Sequence, residues 1–556
     1  MASANPAVDL NVLTLNIEAE GHSEHPNFIK ILSVQVKHPE LGDIVSLDAW
    51  RISRAHCAGS FLELMDEDMQ EMHDFSVTLF DKLGHVRPHL VDPGHRSGTG
   101  CWGREMNSGE LLYILDMSVK EPYRNKGLGS WTLLKFLGSE HVEVEDTVVC
   151  WPTPVGIREN DVWNSVRSKQ IAFFRKNNFR RIGRTGFFGY SPNPDHPSRS
   201  IPLDGDVGAL DDNRSPISTN FEERQLHFPL HCAIADDKTT TLAATIQSFY
   251  DRDPTSIHKA DEKGFTPIFV AVSSGNLVAT RKLLEWDVRA QLENADNAEG
   301  VTPLERLADT MRSTREFSEI FLGWDGYSDV ELTIQYLLKQ ALGQTVDPDL
   351  ATYITKNKYG CTCGQCAGGW LSPRMRFRLE TDAVFWADSM PMNFSSFSKG
   401  QALNPSDMMD NPSDFIPPSL HSSFYLSFYK GYCNVLRAIY LLLSTTDEVL
   451  SAAGVLRFTE NADFFFQKGG RVEFAFDSIT HCAQEQSPLG DDTFADTFND
   501  DYPDWASRPT CANDLEFQLV RQKIGLNRMQ QWGPYYDFGG GGMDVDDEDD
   551  DSDDDY

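Results

Sequence analysis

The segment ELLYILDMSVKEPYRNKGLGS, residues 110–130, decides the fold of the first third of the chain. After Glu110, its residues 111–115 form a short apolar run, typical of a strand that is buried on both faces. Two glycines follow near its end, and apolar residues recur at helical spacing directly after it. The segment therefore predicts a strand, a glycine-bearing turn and a helix, in that order. The helical apolar positions are Trp131, Leu134 and Leu137.

The turn of this unit suits an anionic ligand. Backbone N–H groups from Asn125 to Ser130 are expected to converge at a helix N-terminus, and Gly127 and Gly129 allow a close approach of the chain. A pyrophosphate fits such a turn. The dinucleotide fingerprint requires a third spaced glycine and the ATP-binding loop requires Gly-Lys-Ser/Thr, so the sequence predicts neither of these.

The pattern RxxGxG after a buried strand resembles motif A of the GNAT family of N-acetyltransferases, over roughly residues 10–190. Two further segments support the resemblance: 147–151 is similar to the next strand of that family, and 170–179 is similar to its later helix. The resemblance implies an α/β fold, with an acyl-CoA N-acyltransferase-like mixed sheet and flanking helices. It also implies a slot beside the first strand, and acetyl transfer from acetyl-CoA to an amine. The implied cofactor-binding residues are Met117, Val119, Arg124, Asn125, Lys126, Gly127, Leu128, Gly129 and Ser130.

Three positions depart from the pattern of that family. Phe174 stands where the family often has a Tyr that protonates the departing CoA thiolate, and Arg167 stands where Asn is usual. Asn178 replaces a Gly, and Asn readily adopts the left-handed conformation of a helix C-terminal cap. Because Phe has no proton to give, a second hypothesis stays open: a non-catalytic scaffold that retains a relict CoA-binding domain.

Acetyl transfer needs a group that removes a proton from the amine. The candidates are Glu110, Asp116 and Asp146, with Tyr113 at the position where some family members carry a base. Strict strand alternation places Tyr113, Leu115 and Met117 on one face and Asp116 on the other. The alternative is that each carboxylate is a solvated surface charge.

A repeated pattern follows between residues 225 and 345. Pro229, Pro267 and Pro303 open three similar segments, with a period of about 37 residues that is typical of helical repeats. The middle copy, 261–284, is similar to the ankyrin repeat, which implies an all-α array that binds a protein partner or docks a substrate. Pro suits the first turn of a helix, and the Thr before it can cap the free N–H groups. The alternative is that the repeats serve only as a packing platform for the flanking domains.

Three cysteines, Cys361, Cys363 and Cys366, lie within six residues beside glycines that allow tight turns. This spacing is typical of a metal knuckle, and zinc is the metal that prefers thiolates in such a turn. A tetrahedral site needs a fourth ligand from elsewhere. Cys433, His481 and Cys482 are the candidates for it. The alternative is three reduced structural thiols.

Composition divides the 556 residues into five parts and limits their partners. The net charge of −35 disfavours nucleic acid and membrane partners, although basic residues outnumber acidic ones between Lys120 and Arg184, which suits a cofactor with several phosphates. Dilute, scattered cysteines and a start without a targeting pattern predict an intracellular protein, cytoplasmic or nuclear. The oligomeric state stays open. The parts are 1–195 (transferase-like), 196–224 (linker), 225–345 (repeats), 346–535 (α-rich, with the cysteine cluster) and 536–556 (a disordered Gly and acidic tail).

Overall fold

The chain forms two compact units, each made of three segments of sequence. The structure is a computed structural model and describes residues 9–54, 57, 59, 61–67, 69–154, 159–210, 221–321, 323–408, 410–490 and 493–535. The acidic tail and residues 211–220 of the predicted linker lie outside the described residues. The first unit comprises Met1–Ile320, Tyr327–Lys358 and Pro488–Phe494, and the second comprises Phe321–Gly326, Tyr359–Ser487 and Ala495–Tyr556.

The predicted transferase-like part and the predicted repeats belong to the same unit, except for residues 321–326 of the repeats, which belong to the second unit. The short segment Pro488–Phe494, which comes late in the sequence, also belongs to this first unit. The backbone N–H of Gly59 donates to the carbonyl oxygen of Leu489 in this segment at 2.8 Å. The domain boundaries drawn from composition stay predictions.

A mixed sheet of seven strands lies at the centre of the first unit within the described residues. The strands are β1 (Thr14–Gly21), β2 (Ile29–His38), β3 (Gly42–Ile52), β4 (Leu111–Val119), β5 (Thr147–Cys150), β6 (Arg180–Arg181) and β7 (Phe188–Tyr190). Their order is β1-β2-β3-β4-β5-β7-β6, and all neighbours are antiparallel except β4 and β5, which are parallel. This sheet, with helices around it, confirms the predicted α/β class of the fold.

Helices cover both faces of the sheet and continue through the repeats. Phe75 packs with Tyr113 in the apolar cluster of one face, whereas Phe136 and Phe174 pack with Ile114 on the other. The helices of the first unit are α1 (Phe61–Asp66), α2 (Gln70–Leu79), α3 (Pro88–Val91), α4 (Leu128–Leu137), α5 (Asn160–Lys176), α6 (Phe221–His227), α7 (Pro229–Asp236), α8 (Leu242–Arg252), α9 (Pro267–Ser273), α10 (Leu277–Leu283), α11 (Arg289–Glu293), α12 (Pro303–Phe321), α13 (Asp329–Ala341) and α14 (Leu350–Asn357).

The strand, turn and helix predicted from residues 110–130 are present as β4, a loop and α4. The first four residues of β4 are buried, as a strand covered on both faces requires. Asn178, just past the end of α5, has a φ of 66°, which confirms the left-handed conformation expected of it.

The repeat part is a set of helix pairs with one continuous apolar core. Pro229, Pro267 and Pro303 each open a helix, as predicted. Asn276 connects two pairs: its side-chain amide donates to the carbonyl oxygens of Ile234 and Asp237 at 2.8 and 2.7 Å, while its side-chain oxygen caps α10.

A Thr precedes two of the three repeat prolines, and the expectation that it caps the helix is confirmed for Thr302 and wrong for Thr266. Thr302 forms a capping box with Glu305 at the start of α12: the Thr302 hydroxyl accepts from the Glu305 N–H at 3.3 Å, and the Glu305 carboxylate accepts from the Thr302 N–H at 2.7 Å. Thr266 makes no such side-chain bond. The residue two positions after Pro267 is Phe269, which offers no reciprocal carboxylate.

An acidic face of α12 packs against basic residues of the sheet part. Arg87, only 6% exposed, donates two hydrogen bonds to the Glu316 carboxylate at 3.2 and 3.0 Å. Lys82 pairs with Glu319 at 3.1 Å, and Arg96 pairs with Asp309. These ion pairs join the repeats to the sheet within the first unit.

Glu316→Gln tests how much this junction contributes to stability. The substitution keeps the shape of the side chain but leaves the buried Arg87 charge without its counter-charge, so we expect the free energy of unfolding to fall by about 2 kcal/mol. Chemical denaturation measures the change. Glu293→Gln is the control, because its pair with Arg289 is exposed and contributes less than about 0.5 kcal/mol. Equal effects of the two variants would show that the junction contributes little.

The second unit is helical in its described residues. Its longest helix, Leu426–Thr445, is apolar along one side, because its buried residues recur every three or four positions. Over the described part of the chain, no helix has both the length and the apolar character needed to cross a bilayer. The helices are α15 (Pro373–Ser389), α16 (Asn411–Asp414), α17 (Leu426–Thr445), α18 (Ala452–Phe458), α19 (Asp463–Gln467), α20 (Val472–Glu485), α21 (Ala495–Ala506) and α22 (Phe517–Lys523).

Candidate functional site

The first feature of the site is a gap beside the second half of β4. Strand β5 pairs with β4 over four residues only, from Leu111 opposite Thr147 to Ile114 opposite Cys150. Beyond that point β4 continues to Val119, and its β5-side edge has no strand partner among the described residues. An unpaired strand edge exposes backbone donors and acceptors, which a ligand with amide groups can use. We call this unpaired edge, residues 115–119, the slot.

A β-bulge lies at the start of the slot. Asp48 of β3 is opposite Asp116, but the next residue, Ala49, is opposite Ile114, so Leu115 is an extra residue in β4. A bulge shifts the alternation of side chains by one position. As a result, the expectation that Met117 shares a face with Tyr113 and Leu115 is wrong. Met117 instead packs with the cluster of Leu112, Ile114 and α4.

The same bulge places Asp116 on the Tyr113 face, opposite to the expectation from strict alternation. Its charge acts on Glu71 of α2, a neighbour of Tyr113. Met117 and Val119 pack beside Leu128 and Trp131 of α4 on the other face. The two faces of the sheet therefore differ at the slot: one is acidic, and the other leads to the glycine turn.

The glycine turn places free N–H groups at the start of α4. Gly127 precedes the helix with a φ of 83°, a left-handed conformation that glycine adopts at little cost. Asn125 is also left-handed, with a φ of 60°. Because α4 begins at Leu128, the N–H groups of its first turn have no acceptor inside the helix. They are available to an anion, which the helix dipole also favours.

Gly129 allows a close approach between α4 and its neighbours. A Cβ at this position would lie 3.1 Å from the Phe173 ring and 3.7 Å from the Met117 methyl group. The equivalent position at Gly127 is open, with no atom within 4 Å. Gly129 thus brings the helix close to the slot, while Gly127 leaves space in front of the turn.

Two cations flank the turn. The Arg124 guanidinium donates from Nε to the carbonyl oxygen of Val119 at 2.9 Å, at the end of the slot. The Lys126 ammonium lies 5.6 Å from the centre of the Tyr123 ring. Arg124 is exposed and Lys126 is half-buried, so both positive charges are near the free N–H groups of α4 and in reach of solvent.

A hydrogen-bonded pair of Glu71 and Tyr113 lies on the acidic face. The Tyr113 ring is fully buried, and its hydroxyl donates to a Glu71 carboxylate oxygen at 2.7 Å. Burial raises the pKa of Glu71; the hydrogen bond from Tyr113 offsets part of this, and the charges of Asp74 and Asp116 raise it further. Burial and the charge of Glu71 raise the pKa of Tyr113, which therefore keeps its proton at neutral pH. A carboxylate with a raised pKa is suited to accept a proton.

A cluster of four cysteines lies in the second unit. Neighbouring sulfur atoms are 3.7 Å (Cys361 to Cys363), 3.8 Å (Cys363 to Cys366) and 3.4 Å (Cys366 to Cys511) apart, and all four lie within 4.8 Å of one another. These distances are too long for disulfides, whose sulfur atoms are about 2.05 Å apart. A tetrahedron with metal–sulfur bonds of about 2.3 Å has edges of about 3.8 Å. The cluster can therefore hold a metal ion.

Side-chain and backbone donors support the sulfur atoms. The Gln365 N–H donates to Cys363 Sγ at 3.3 Å, and the Asn513 amide donates to Cys366 Sγ at 3.7 Å. The Ala512 N–H donates to the Thr362 hydroxyl at 2.9 Å, which ties the Cys511 segment to the knuckle. Bonds of this kind orient metal ligands and stabilise thiolate charge.

No family model matches this chain, and no curated protein and no solved structure matches it either. The chemistry of the chain must therefore be argued from its own geometry. The slot, the glycine turn, the Glu71–Tyr113 pair and the four cysteines are the features that carry this argument.

Two of the carboxylates considered as bases lie away from the slot. Glu110 is just before the other end of β4 and pairs with Arg51. Burial disfavours the Glu110 carboxylate, but the hydrogen bond and charge of Arg51 outweigh it and lower its pKa. Asp146 is 3% exposed, and its two oxygens accept from the N–H groups of Glu110 and Glu143 at 2.9 and 2.7 Å. Both carboxylates hold the loop before β5 in place.

The structure also supplies residues that the sequence interpretation missed. None of the three candidates for a fourth thiol-site ligand belongs to the cluster: Cys433 and Cys482 are buried in helices, where they donate to the Ala387 carbonyl and the Asn411 side chain, and His481 is next to Cys482 in α20. Cys511 fills the place instead. Glu71 was also missed, because it lies in α2, far in sequence from residues 110–130, and only the fold brings it to Tyr113.

Proposed function

We propose that the chain is an N-acetyltransferase that moves an acetyl group from acetyl-CoA to an amine. The observation that carries the proposal is that β4 loses its partner after Ile114, directly beside a glycine turn with free N–H groups. A donor with a pyrophosphate at one end and amide groups along its arm matches both features. The resemblance of residues 124–129 to the GNAT motif adds support.

On the donor side, the N–H groups of the first turn of α4 bind the pyrophosphate, with Arg124 and Lys126 neutralising its charge. The pantetheine amides hydrogen-bond to the backbone of the slot, between Met117 and Val119. The thioester then lies near the bulge at Leu115. Gly129 keeps α4 close enough for these contacts to form together.

On the acceptor side, Glu71 acts as general base. It removes a proton from the ammonium form of the acceptor, and the nitrogen attacks the thioester carbonyl carbon. The C–N bond forms, the C–S bond breaks, and the nitrogen gives up its second proton to solvent to leave the neutral amide. The CoA thiolate leaves and takes up a proton from solvent. Tyr113 is a positioning residue, since its hydroxyl holds the Glu71 carboxylate.

Binding and turnover test this proposal separately. Acetyl-CoA is titrated into the full chain by calorimetry, with CoA and ATP as controls, and CoA release is then measured with a panel of amines. We expect micromolar binding of acetyl-CoA and CoA, no comparable binding of ATP, and amine-dependent CoA release. A folded chain that binds neither CoA species would rule the proposal out.

Glu71→Gln tests the general base. We expect CoA release to fall about 100-fold, with acetyl-CoA binding unchanged. The wild-type rate rises with pH through the raised pKa of Glu71, because the base acts only when deprotonated, and the variant loses this rise. The loss does not come from unfolding: a buried carboxylate with a raised pKa costs stability above that pKa, so the neutral variant is at least as stable at pH 7.

The matched control is Glu18→Gln, which changes an exposed carboxylate in β1. We expect its rate and pH profile to equal those of the wild type. A Glu71→Gln profile that keeps the wild-type rise would assign the base to another group.

A second candidate function is a non-catalytic scaffold, and one observation favours it. Phe174 is 9% exposed and packs against Phe173 and Phe179, so the position that resembles the family's proton donor is apolar core. The scaffold reading predicts acetyl-CoA binding without CoA release for every amine. In it, the repeats provide the docking surface for a protein partner.

We propose further that the four-cysteine cluster binds zinc. Four thiols at tetrahedral spacing, with supporting N–H donors and no open position, match a structural zinc site. The ion would join residues 361–366 to Cys511, which are remote in sequence. A bound zinc ion would cross-link these two segments of the second unit through its four thiolate bonds and would have a structural role rather than a catalytic one.

A further inference from the structure

A cavity of about 1000 Å³ opens on the Tyr113 side of the sheet. Its wall combines Asp74 and Thr78 of α2, residues just after β5, the start of α5, and residues 298–309 of the repeat part. All of these belong to the first unit. A concave site of about 300–1000 Å³ with a few convergent polar groups is typical of small-molecule binding. An extended protein surface does not need such an enclosure.

Aromatic contacts connect the cavity wall to the proposed base. Trp151 and Phe187 line the cavity, with ring centres 5.2 Å apart. Phe75 lies between Phe187, at 6.0 Å, and the Tyr113 ring, at 4.7 Å. Two rings, Phe187 and then Phe75, thus connect this wall of the cavity to Tyr113.

The helix α2 gives a second connection. Glu71, Asp74 and Thr78 are three and four residues apart, so they lie along one side of the helix. Asp74 and Thr78 line the cavity, and Asp74 is near enough to raise the pKa of Glu71. The glycine turn is on the opposite face of the sheet. Donor and acceptor therefore approach the slot from opposite faces.

The charges in the cavity select the kind of acceptor. Two of its arginines already have carboxylate partners, since Arg96 pairs with Asp309 and Arg306 pairs with Glu299. Arg184 differs from these: its Nε donates to the Gly208 carbonyl at 3.2 Å, a terminal N–H donates to His95 Nε2, and within the described residues no carboxylate pairs with it. Its guanidinium lines the cavity and has no carboxylate partner in the described part of the chain.

A second cation and an aromatic surface lie near the start of α5. The Arg167 guanidinium stacks 5.1 Å from the Trp163 ring, and both residues line the cavity. At the α2 end the charge is reversed, because Asp74 lines the cavity there and lies close enough to Glu71 to raise the pKa of that carboxyl. The cavity thus offers the Asp74 carboxylate at its α2 end, and arginines with aromatic walls, together with Asp161, at the α5 end.

We propose that the acceptor is a small amine that also carries an anionic group, a carboxylate or a phosphate. The amine lies at the acidic α2 end, the anion binds Arg184 with help from Arg167, and an apolar body rests on Trp151 and Trp163. The repeat part acts as one wall of this site. This inference depends on the proposed acetyl transfer for the role of the ligand, but not for its binding.

The test uses three related probes on the full chain by calorimetry. Phenylalanine carries an amine and a carboxylate, tyramine phosphate carries an amine and a phosphate, and tyramine carries an amine alone. We expect at least one anionic probe to bind about tenfold more tightly than tyramine. The stronger of the two anionic probes identifies the anion. Equal affinities for all three, or no binding of any, would overturn the inference.

Arg184→Met locates the anion. It should reduce the preference over tyramine to less than about twofold, whereas Arg289→Met, an exposed repeat arginine away from the cavity, should leave it unchanged. If Arg184→Met does not fold, Arg167→Met serves as the second variant. A preference that survives both substitutions would contradict the proposal.

The proposed acetyl transfer is tested separately, by titrating acetyl-CoA into the same protein preparation. Acetyl-CoA binding without a preference for anionic amines overturns the cavity inference alone. Preference for anionic amines without acetyl-CoA binding overturns the proposed transferase alone.

Discussion

Replacing Cys511 by Ser is expected to remove one zinc ion per chain and to lower the free energy of unfolding of the second unit by more than about 4 kcal/mol. The reason is that structural zinc sites contribute an apparent binding free energy of about 10–16 kcal/mol, which is available only to the folded chain. Cys511 lies 3.4 Å from Cys366 and is 5% exposed, so no water can replace it easily. Elemental analysis of the purified protein and denaturant unfolding measure the two effects.

The control for this variant is Cys232→Ser, which removes a half-buried thiol in the repeat part and leaves the cluster intact. Its zinc content should equal that of the wild type. Treatment of the wild type with a strong chelator should reproduce the loss of stability seen in Cys511→Ser. A wild-type chain that is stable and zinc-free after purification from zinc-supplemented medium would refute the metal site.

Replacing Gly127 by Glu is expected to weaken acetyl-CoA binding at least about 1000-fold. The new carboxylate would lie in the open space in front of the first turn of α4, where the proposal places the pyrophosphate, and would repel it. The left-handed φ of 83° adds a backbone cost of about 1 kcal/mol, which is small beside the binding effect. Calorimetry on the full chain gives the affinity.

Gly343→Glu is the matched control for this substitution. Gly343 also has a left-handed φ, of 73°, and open space around it, but it lies after α13 in the repeat part. It should cost the same backbone energy and leave the affinity for acetyl-CoA unchanged. If the two variants bind acetyl-CoA equally well, the glycine turn is not the pyrophosphate site.

The local structure around residues 110–130 followed from its sequence because it depends on near neighbours. Apolar runs, glycines and helical spacing all act within a few residues, and β4, the turn and α4 are where the pattern put them. The same holds for the three Pro-initiated repeat helices. The left-handed Asn178 was predicted for the same reason, since the conformation is a property of the residue and its helix end.

The bulge at Leu115 could not be read in this way. The amino-acid sequence of β4 does not distinguish a regular strand from one with an extra residue. The shift in side-chain alternation arises from pairing with β3, which lies about sixty residues earlier. Its effect is nevertheless large, since it decides which face carries Asp116 and which carries Met117. One misplaced position therefore changed the predicted surroundings of the slot.

Glu71 and Cys511 were missed because their partners are distant in the sequence. Glu71 reaches Tyr113 across 42 residues, and Cys511 reaches Cys366 across 145. The three thiols of residues 361–366 indicated that a fourth metal ligand was missing, but the sequence did not distinguish among the remaining Cys and His residues as candidates for it. Only the fold determines which of these distant side chains lies beside the three thiols.

The interleaved course of the chain has a consequence for how this protein can be divided. The segment Pro488–Phe494 of the first unit follows most of the second unit in the sequence, and Leu489 of this segment accepts a hydrogen bond from the Gly59 N–H. A ribosome therefore releases the last piece of the first unit only near the end of synthesis. No single cut yields either unit whole, so every truncation at one point leaves at least one unit without one of its segments.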